Sequence, residues 1–276
     1  MKTKQFSIGM IGLIALAVIF PNSVVGQAVD KAGEAFIDQL PAGLQLKENE
    51  PQHYLMVTTH YNRDMYGSFI NKSQVSGEYT RGLEGGKVKW NHARIVHSQS
   101  QKGDFGEGTA LDFMENFSYV PSEKILEPSF FQGFPNDQTS LMAKNLVWDM
   151  SGIEALAWIC FDSLSLNQEY LAKEINGEAD LAGAGTFTNE DIRLTWKGLT
   201  KTNDKLCAVI DFTAYNNPLE IDMQNFKMKG RSHYWGTIYV SLTDKQIEYA
   251  SMHEDVMMDM NSNMINAFRM ITVTKK

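Results

Sequence analysis

The most chemically distinctive stretch of the sequence lies near its C-terminus, where Met252 to Met260 read MHEDVMMDM. Thioether groups in such a cluster are ligands that suit Cu(I). In a β-strand, however, alternate side chains point to opposite faces, so His253 would lie on the opposite face from Met252. Met258 and Met260 share the face of Met252, but the three thioethers would span about 27 Å. The stretch therefore predicts an amphipathic strand with an apolar row and a polar row.

Histidine pairs are a second potential source of metal ligands. His53 and His60 are seven positions apart, and His92 and His97 are five apart. An odd separation in a straight strand places two side chains on opposite faces, where they cannot chelate one ion. We therefore predict no metal site and no cofactor.

The two cysteines, Cys160 and Cys207, bear on both chemistry and stability. Cys160 lies in the apolar run AWICF, and an apolar environment raises the pKa of a thiol and so lowers its reactivity as a nucleophile. In an oxidising compartment a disulfide between the two would stabilise the fold by about 3–4 kcal/mol. The alternative is that both are unpaired, buried thiols. No G-x-S-x-G motif is present, so the sequence predicts no catalytic nucleophile.

Carboxylate pairs keep one enzymatic alternative open, a hydrolase that acts on envelope polymers. The neighbouring acids that such an enzyme would draw on are Asp112 with Glu115, Asp149 with Glu154, and Glu254 with Asp255. Acidic residues are abundant throughout the chain, so their proximity in sequence selects no pair.

The elements that must position these residues are mostly strands. Segments rich in β-branched and aromatic residues alternate with turns built from Gly, Asn and Asp, both before residue 120 and after residue 190. They predict a β-rich α+β fold, with a strongly bent antiparallel sheet or incomplete barrel, because open sheets of about ten strands curl.

Two helical segments interrupt the strands. Apolar residues at helical spacing predict a short helix over 29–40 and a central helical insertion over 139–162, with Asp137 or Thr139 as its N-cap. Gly152 is predicted to divide the insertion into two helices. Apolar residues surround much of the insertion, which indicates deep burial on the concave face of the sheet. The part from residue 27 to 276 is expected to form one domain.

This order of elements resembles that of the periplasmic lipoprotein carriers, in which a half-barrel holds apolar cargo beneath helices. The resemblance lies in element order alone, so it implies a cupped sheet and an apolar ligand but transfers no individual residue.

The N-terminus predicts export. Lys2 and Lys4 precede the apolar run of residues 8–20, and small residues follow, which is the layout of a secretory signal peptide over 1–26. We expect a periplasmic or extracellular protein without a transmembrane segment in the mature chain. The formal net charge of -8 and the absence of a basic cluster argue against nucleic acid as a partner.

Together these patterns predict an exported, soluble protein that binds a lipid or another hydrophobic ligand in an apolar cavity. The predicted lining residues are Trp148, Trp158, Trp235, Met252, Met258 and Met260. Methionine suits such a lining because its flexible thioether adapts to ligand shape. The alternatives are the hydrolase described above and a structural or partner-binding envelope protein without a small ligand.

Overall fold

The computed structural model describes residues 39–223, 226–260 and 263–276. The strands are β1 (Gln52–Asp64), β2 (Phe69–Leu83), β3 (Lys87–Ser98), β4 (Thr109–Ala110), β5 (Phe117–Tyr119), β6 (Glu169–Leu171), β7 (Gly177–Asp180), β8 (Gly185–Asn189), β9 (Arg193–Thr202), β10 (Lys205–Met223), β11 (Phe226–Ser241), β12 (Ile247–Met260) and β13 (Asn263–Lys275). The α-helix of the described part is α1 (Gln138–Trp158), and short 3₁₀ turns occur at Glu84–Gly86, Asp112–Met114, Glu123–Leu126, Pro128–Phe131, Phe161–Ser163 and Lys173–Ile175.

The predicted fold class is confirmed. Strands make up 56% of the described residues, and they form a large antiparallel sheet that is not closed into a barrel. The main path of the sheet runs β4-β3-β2-β1-β13-β12-β11-β10-β8-β7, with β5 on β3, β9 on β10 and β6 on β9. The first and last strands therefore pair at the middle of the sheet.

Strand β10 pairs with two different strands along one of its edges. Its first half, Lys205 to Thr213, pairs with β9, and its second half pairs with β8 around Leu219. Between the halves, the register with β11 shifts between Ala214 and Asn217. Such an irregularity bends a strand and increases its local twist.

Helix α1 lies on the concave face of the sheet. Asp137 caps its N-terminus, as predicted, by accepting a hydrogen bond of 2.8 Å from the backbone N–H of Ser140. Ser73 of β2 contacts Met142, and Tyr79 of β2 contacts Glu154, so the helix runs alongside β2.

The predicted division of this helix at Gly152 is wrong. The chain stays helical from Gln138 to Trp158 and passes into a 3₁₀ turn only at Phe161–Ser163. The fully buried side chains of Met150 and Ile153 flank the glycine, and their burial outweighs the cost of about 1 kcal/mol that glycine imposes on a helix.

Apolar side chains form two separate clusters on the concave face. The larger cluster joins α1 to most strands and contains Trp90, Leu146 and Ile210. The smaller one lies on the far halves of β10 to β13 and consists of Leu219, Ile221, Met228, Val256, Met258 and Ala267. We call this smaller set the floor cluster.

The predicted signal peptide over 1–26 and nearly all of the predicted helix over 29–40 lie outside the described residues. At the end of that segment, Gln39 makes an isolated antiparallel bridge with Ser165, and Leu40 is buried in the larger cluster.

Replacement of Gly152 by alanine should stabilise the protein. A methyl group there would meet no heavy atom within 4 Å, and alanine is favoured over glycine inside a helix by roughly 0.5–1 kcal/mol. We expect Gly152→Ala to raise the free energy of unfolding by about that amount in chemical denaturation. Gly236→Ala is the contrasting variant, because its methyl would lie 2.0 Å from the Ser251 carbonyl oxygen. A Gly152→Ala variant that is less stable than the wild type would contradict the continuous helix.

Candidate binding cavity

A cavity of about 730 Å³ separates α1 from the floor cluster. All six residues of the floor cluster line it, and none of them is more than 9% exposed to solvent. The opposite wall comes from α1, through residues such as Leu141, Asn145 and Trp148. The floor cluster therefore forms one wall of a cavity, and Leu141 of α1 packs against part of it.

Alternation along β12 supplies one wall of the cavity. Met252, Glu254, Val256 and Met258 all line it, as the predicted apolar row requires. The faces are clearly separated, since Met258 is 9% exposed whereas its neighbour Met257 is 40% exposed on the outer face. Because alternate side chains of a strand point to opposite faces, the methionine-rich stretch is divided into an inner and an outer row.

A loop between β5 and α1 forms a side wall. Ile125 and Leu126 line the cavity, and the Trp148 indole Nε1 donates a hydrogen bond of 2.9 Å to the carbonyl oxygen of Ile125. Behind this contact, the Phe131 ring meets the Trp148 ring edge-on at 5.7 Å. The indole thus ties the loop to the helix and leaves part of its own surface facing the cavity.

The space between α1 and the sheet is filled at the C-terminal end of the helix. Glu154 accepts hydrogen bonds from Tyr79, at 2.9 Å, and from Arg81, at 2.5 Å. The Arg81 guanidinium also lies 4.3 Å from the centre of a Trp158 ring, and the Trp158 indole donates to the carbonyl oxygen of Lys245 at 2.8 Å. These contacts hold the C-terminal half of α1 on the sheet.

A buried ionic group interrupts the apolar wall. Arg269 of β13 is paired with Asp149 of α1 and with Glu254 of β12, and all three line the cavity. The Ser232 hydroxyl donates a hydrogen bond of 2.6 Å to the carboxylate of Glu254. Arg269 therefore connects the helix to the sheet across the cavity edge.

The charges of this group follow from burial and pairing. Burial disfavours the charged guanidinium of Arg269, but Asp149 and Glu254 outweigh this effect and hold its pKa above the ordinary value. For Asp149, burial is the larger effect and raises the pKa of its carboxyl to about 6 despite the attraction of Arg269. The arginine thus stays charged, and Asp149 takes up a proton as the pH falls through about 6.

His60 lies beside this ionic group, directly opposite Arg269 in the pairing of β1 with β13. Burial, Arg269 and His97 lower the pKa of its imidazole to about 3, so the ring is neutral at physiological pH. His53, on the same strand, faces the other way and contacts Thr80, in agreement with the predicted separation of the two histidines.

The structure distributes the predicted lining residues unevenly. Trp148, Met252 and Met258 line the cavity, and their role in binding remains a prediction. Met260 ends β12, and its side chain lies outside the described part.

Two predicted positions are corrected. Trp158 packs at the filled end of the interface, where its ring faces Arg81 and does not line the cavity. Trp235 lies on the outer face, 38% exposed, with its ring 5.8 Å from that of His253. It belongs to the polar row of β11, and sequence composition does not reveal which face such a residue occupies.

Of the two alternatives for the cysteines, the structure shows the unpaired one, because Cys160 and Cys207 are free, buried thiols. Cys160 follows α1 on the concave side and contacts Glu174, whereas Cys207 on β10 alternates with core residues such as Ala208 and points to the other face. Burial raises the pKa of both thiols to about 12, so neither is an activated nucleophile.

Sequence reasoning missed the polar residues of the cavity wall. Arg269 and Ser232 carried no motif, His60 was considered only as a metal ligand, and Asp149 was paired with its sequence neighbour Glu154 rather than with Glu254. The available signal was Arg269 itself, a lone charge at an inward position between the apolar residues Ala267 and Ile271 of one strand. In the described residues, no group of three or more His, Cys, Asp or Glu side chains is arranged to hold a metal ion.

Comparison with known proteins adds little. No protein-family model matches the chain, and no curated protein matches it in sequence. A solved structure described as lipid-protein interactions in lipovitellin is similar over 84% of this chain and 25% of its own, with 11% identity and a TM-score of 0.39. The chain spans about a quarter of that protein. We base no functional conclusion on a similarity of this degree. No helix in the described ranges is long and apolar enough to cross a membrane.

Replacement of Asp149 by asparagine should change how stability depends on pH. Because the pKa of Asp149 rises from 3.8 to about 6 on folding, the folded state keeps a proton between these values that the unfolded state releases. Asp149 therefore contributes less to stability as pH rises through this window.

The quantity to follow is the difference between the free energies of unfolding of the wild type and of Asp149→Asn. We expect this difference, wild type minus variant, to fall by up to about 3 kcal/mol as the pH rises from 3.8 to above 6. Denaturant titrations of both proteins at matched pH values measure this difference. A difference that stays constant or increases with pH would show that Arg269, and not burial, controls this carboxyl.

Proposed function

We propose that this protein binds a lipid-like or other hydrophobic ligand in the cavity between α1 and the floor cluster. The observation that carries the proposal is a mostly apolar cavity of about 730 Å³ between the helix and the sheet. Ligand sites in proteins have volumes of roughly 300–1,000 Å³ and mostly apolar walls with a few polar groups. The cavity matches this description in both size and lining.

The energetics of an apolar cavity favour an apolar occupant. Protein interiors are packed as densely as organic crystals, and an engineered apolar cavity of about 150 Å³ stays dry and binds small apolar molecules. Each Å² of apolar surface that a ligand removes from water contributes roughly 25 cal/mol. Met142, Met228, Met252 and Met258 all line the cavity, and their flexible side chains suit acyl chains of differing length.

Filling the cavity with a larger side chain tests the proposal. We expect protein purified without detergent to carry a bound lipid that native mass spectrometry detects and organic extraction removes. Met258→Trp places an indole in the cavity and should lower ligand occupancy at least tenfold. Met257→Trp is the matched control, because the adjacent residue lies on the outer face and should retain the ligand.

Three results would count against binding at this site. The first is a wild-type protein that carries no lipid and takes up none after incubation with lipid vesicles, which would favour a structural or partner-binding role. The second is equal ligand occupancy in Met258→Trp and wild type. The third is equal loss of ligand in the two tryptophan variants, which would indicate an effect on folding.

We further propose that the protein acts after export, in the periplasm or outside the cell. The support is the signal-peptide pattern of residues 1–26. Intact-mass measurement of protein recovered from the envelope or medium should give a chain that starts after Gly26 or Ala28. A chain that keeps residues 1–26, recovered from the cytoplasm, would contradict export.

A further inference from the structure

A pair of asparagines on β1 and β2 offers hydrogen-bonding groups to the cavity. Asn62 and Asn71 are directly opposed in the pairing of the two strands, and both line the cavity. The side-chain amide of Asn62 donates a hydrogen bond of 2.7 Å to the side-chain oxygen of Asn71. Both residues are half-buried, so the pair is fixed by the sheet but is not enclosed by it.

The pair leaves one acceptor and one donor unused. Oδ1 of Asn62 and Nδ2 of Asn71 have no hydrogen-bond partner among the described residues, and both atoms keep solvent-accessible surface. A ligand in the cavity can therefore reach them. A hydroxyl group placed against the pair can donate to the first atom and accept from the second.

The asparagine pair lies between the floor cluster and the mouth of the cavity. Asn62 is directly opposite Ala267 of the floor cluster in the pairing of β1 with β13. Just beyond the pair, the register of β1 with β2 shifts and leaves Ile70 as the extra residue of a bulge. Ile70 lines the cavity and is 39% exposed, which marks this edge as open to solvent. A chain that lies on the floor cluster would thus bring its polar end to the asparagines.

The turn that follows β1 holds the pair in place. The Asp64 carboxylate accepts hydrogen bonds from the backbone N–H groups of Tyr66, at 2.9 Å, and Ser68, at 2.8 Å. These bonds close the hairpin a few residues from the asparagines. Because the site is ordered before a ligand arrives, binding there costs little conformational entropy.

The charges of the cavity wall favour an uncharged headgroup. Among the described lining residues, the cation Arg269 is already paired with Asp149 and Glu254, and Glu123 adds a third carboxylate. An anionic headgroup would therefore meet more negative than positive charge. An ammonium group has no lone pair to accept from the free amide of Asn71. A hydroxyl group avoids both disadvantages.

We propose that the cavity selects uncharged amphiphiles with a hydroxyl headgroup, which binds between Asn62 Oδ1 and Asn71 Nδ2 while the chain lies on the floor cluster. This inference rests on the proposed function, because it names the class of ligand for the same cavity. It assigns recognition to two side chains near the mouth and leaves the apolar walls to accommodate chains of different length.

A ligand series with a constant chain tests the inference. The delipidated protein is titrated at neutral pH with decanol, methyl decyl ether, decanoic acid, decylamine and decane. Displacement of a fluorescent apolar probe reports each affinity. We expect decanol to bind more tightly than the acid, the amine and the ether, which cannot donate a hydrogen bond to Asn62.

Polar pairs on the two faces of β1 and β2 supply the variants and their control. Asn62→Leu and Asn71→Leu keep the size of the side chain, and each should lower the preference for decanol over decane about threefold to tenfold. Comparing this ratio between proteins cancels the hydration of the free ligands. Gln74→Leu is the matched control and should keep the wild-type ratio, because Gln74 bonds Thr59 at 3.0 Å on the outer face of the same strands.

Each outcome has a definite meaning. The affinity for decane depends on the apolar walls, so an affinity that does not fall in the variants shows that they fold with the cavity intact. An unchanged preference for decanol in these variants would overturn the hydroxyl site while supporting the proposed function. Tightest binding of decanoic acid or of decylamine would also overturn it. If no member of the series displaces the probe, the proposed function fails together with the inference.

Discussion

A mismatch of lengths governs the architecture of this protein. Helix α1 has 21 residues and extends about 32 Å at 1.5 Å per residue, whereas the 19 residues of β10 extend roughly 60 Å. One helix therefore cannot cover the concave face of the sheet. Glu154 and Trp158 hold its C-terminal end on the sheet, and the floor cluster on the far halves of the strands is left to face a cavity.

The ion pairs of Arg269 connect the helix to the sheet at the edge of that cavity. The arginine pairs with Asp149 on the helix and Glu254 on the sheet, so removal of either partner would leave charge in a buried site. Such a group is a poor source of net stability but fixes geometry, since few other arrangements satisfy it. A ligand would be oriented by polar groups that the mostly apolar wall exposes to the cavity, such as Asn62 and Asn71.

The sequence predicted features that depend on local periodicity and missed those that depend on the pairing of distant elements. The alternation of Met252 and Met258 with Met257 and the N-cap at Asp137 follow from rules that act within a few residues, and the bent sheet follows from the number of predicted strands. Trp235 was misplaced because an aromatic side chain suits either face of a strand. The convergence of Arg269, Asp149 and Glu254 joins three elements, and no local pattern contains that information.

The account depends on an occupied cavity between α1 and the floor cluster. The most direct measurement is a crystal structure of the protein with a fatty alcohol that carries bromine at the end of its chain. We predict an anomalous bromine peak in contact with Val256 and Met258, beneath α1. A bromine peak on the outer face of the sheet, or a cavity closed by movement of α1 onto the floor cluster with no ligand inside, would contradict the account.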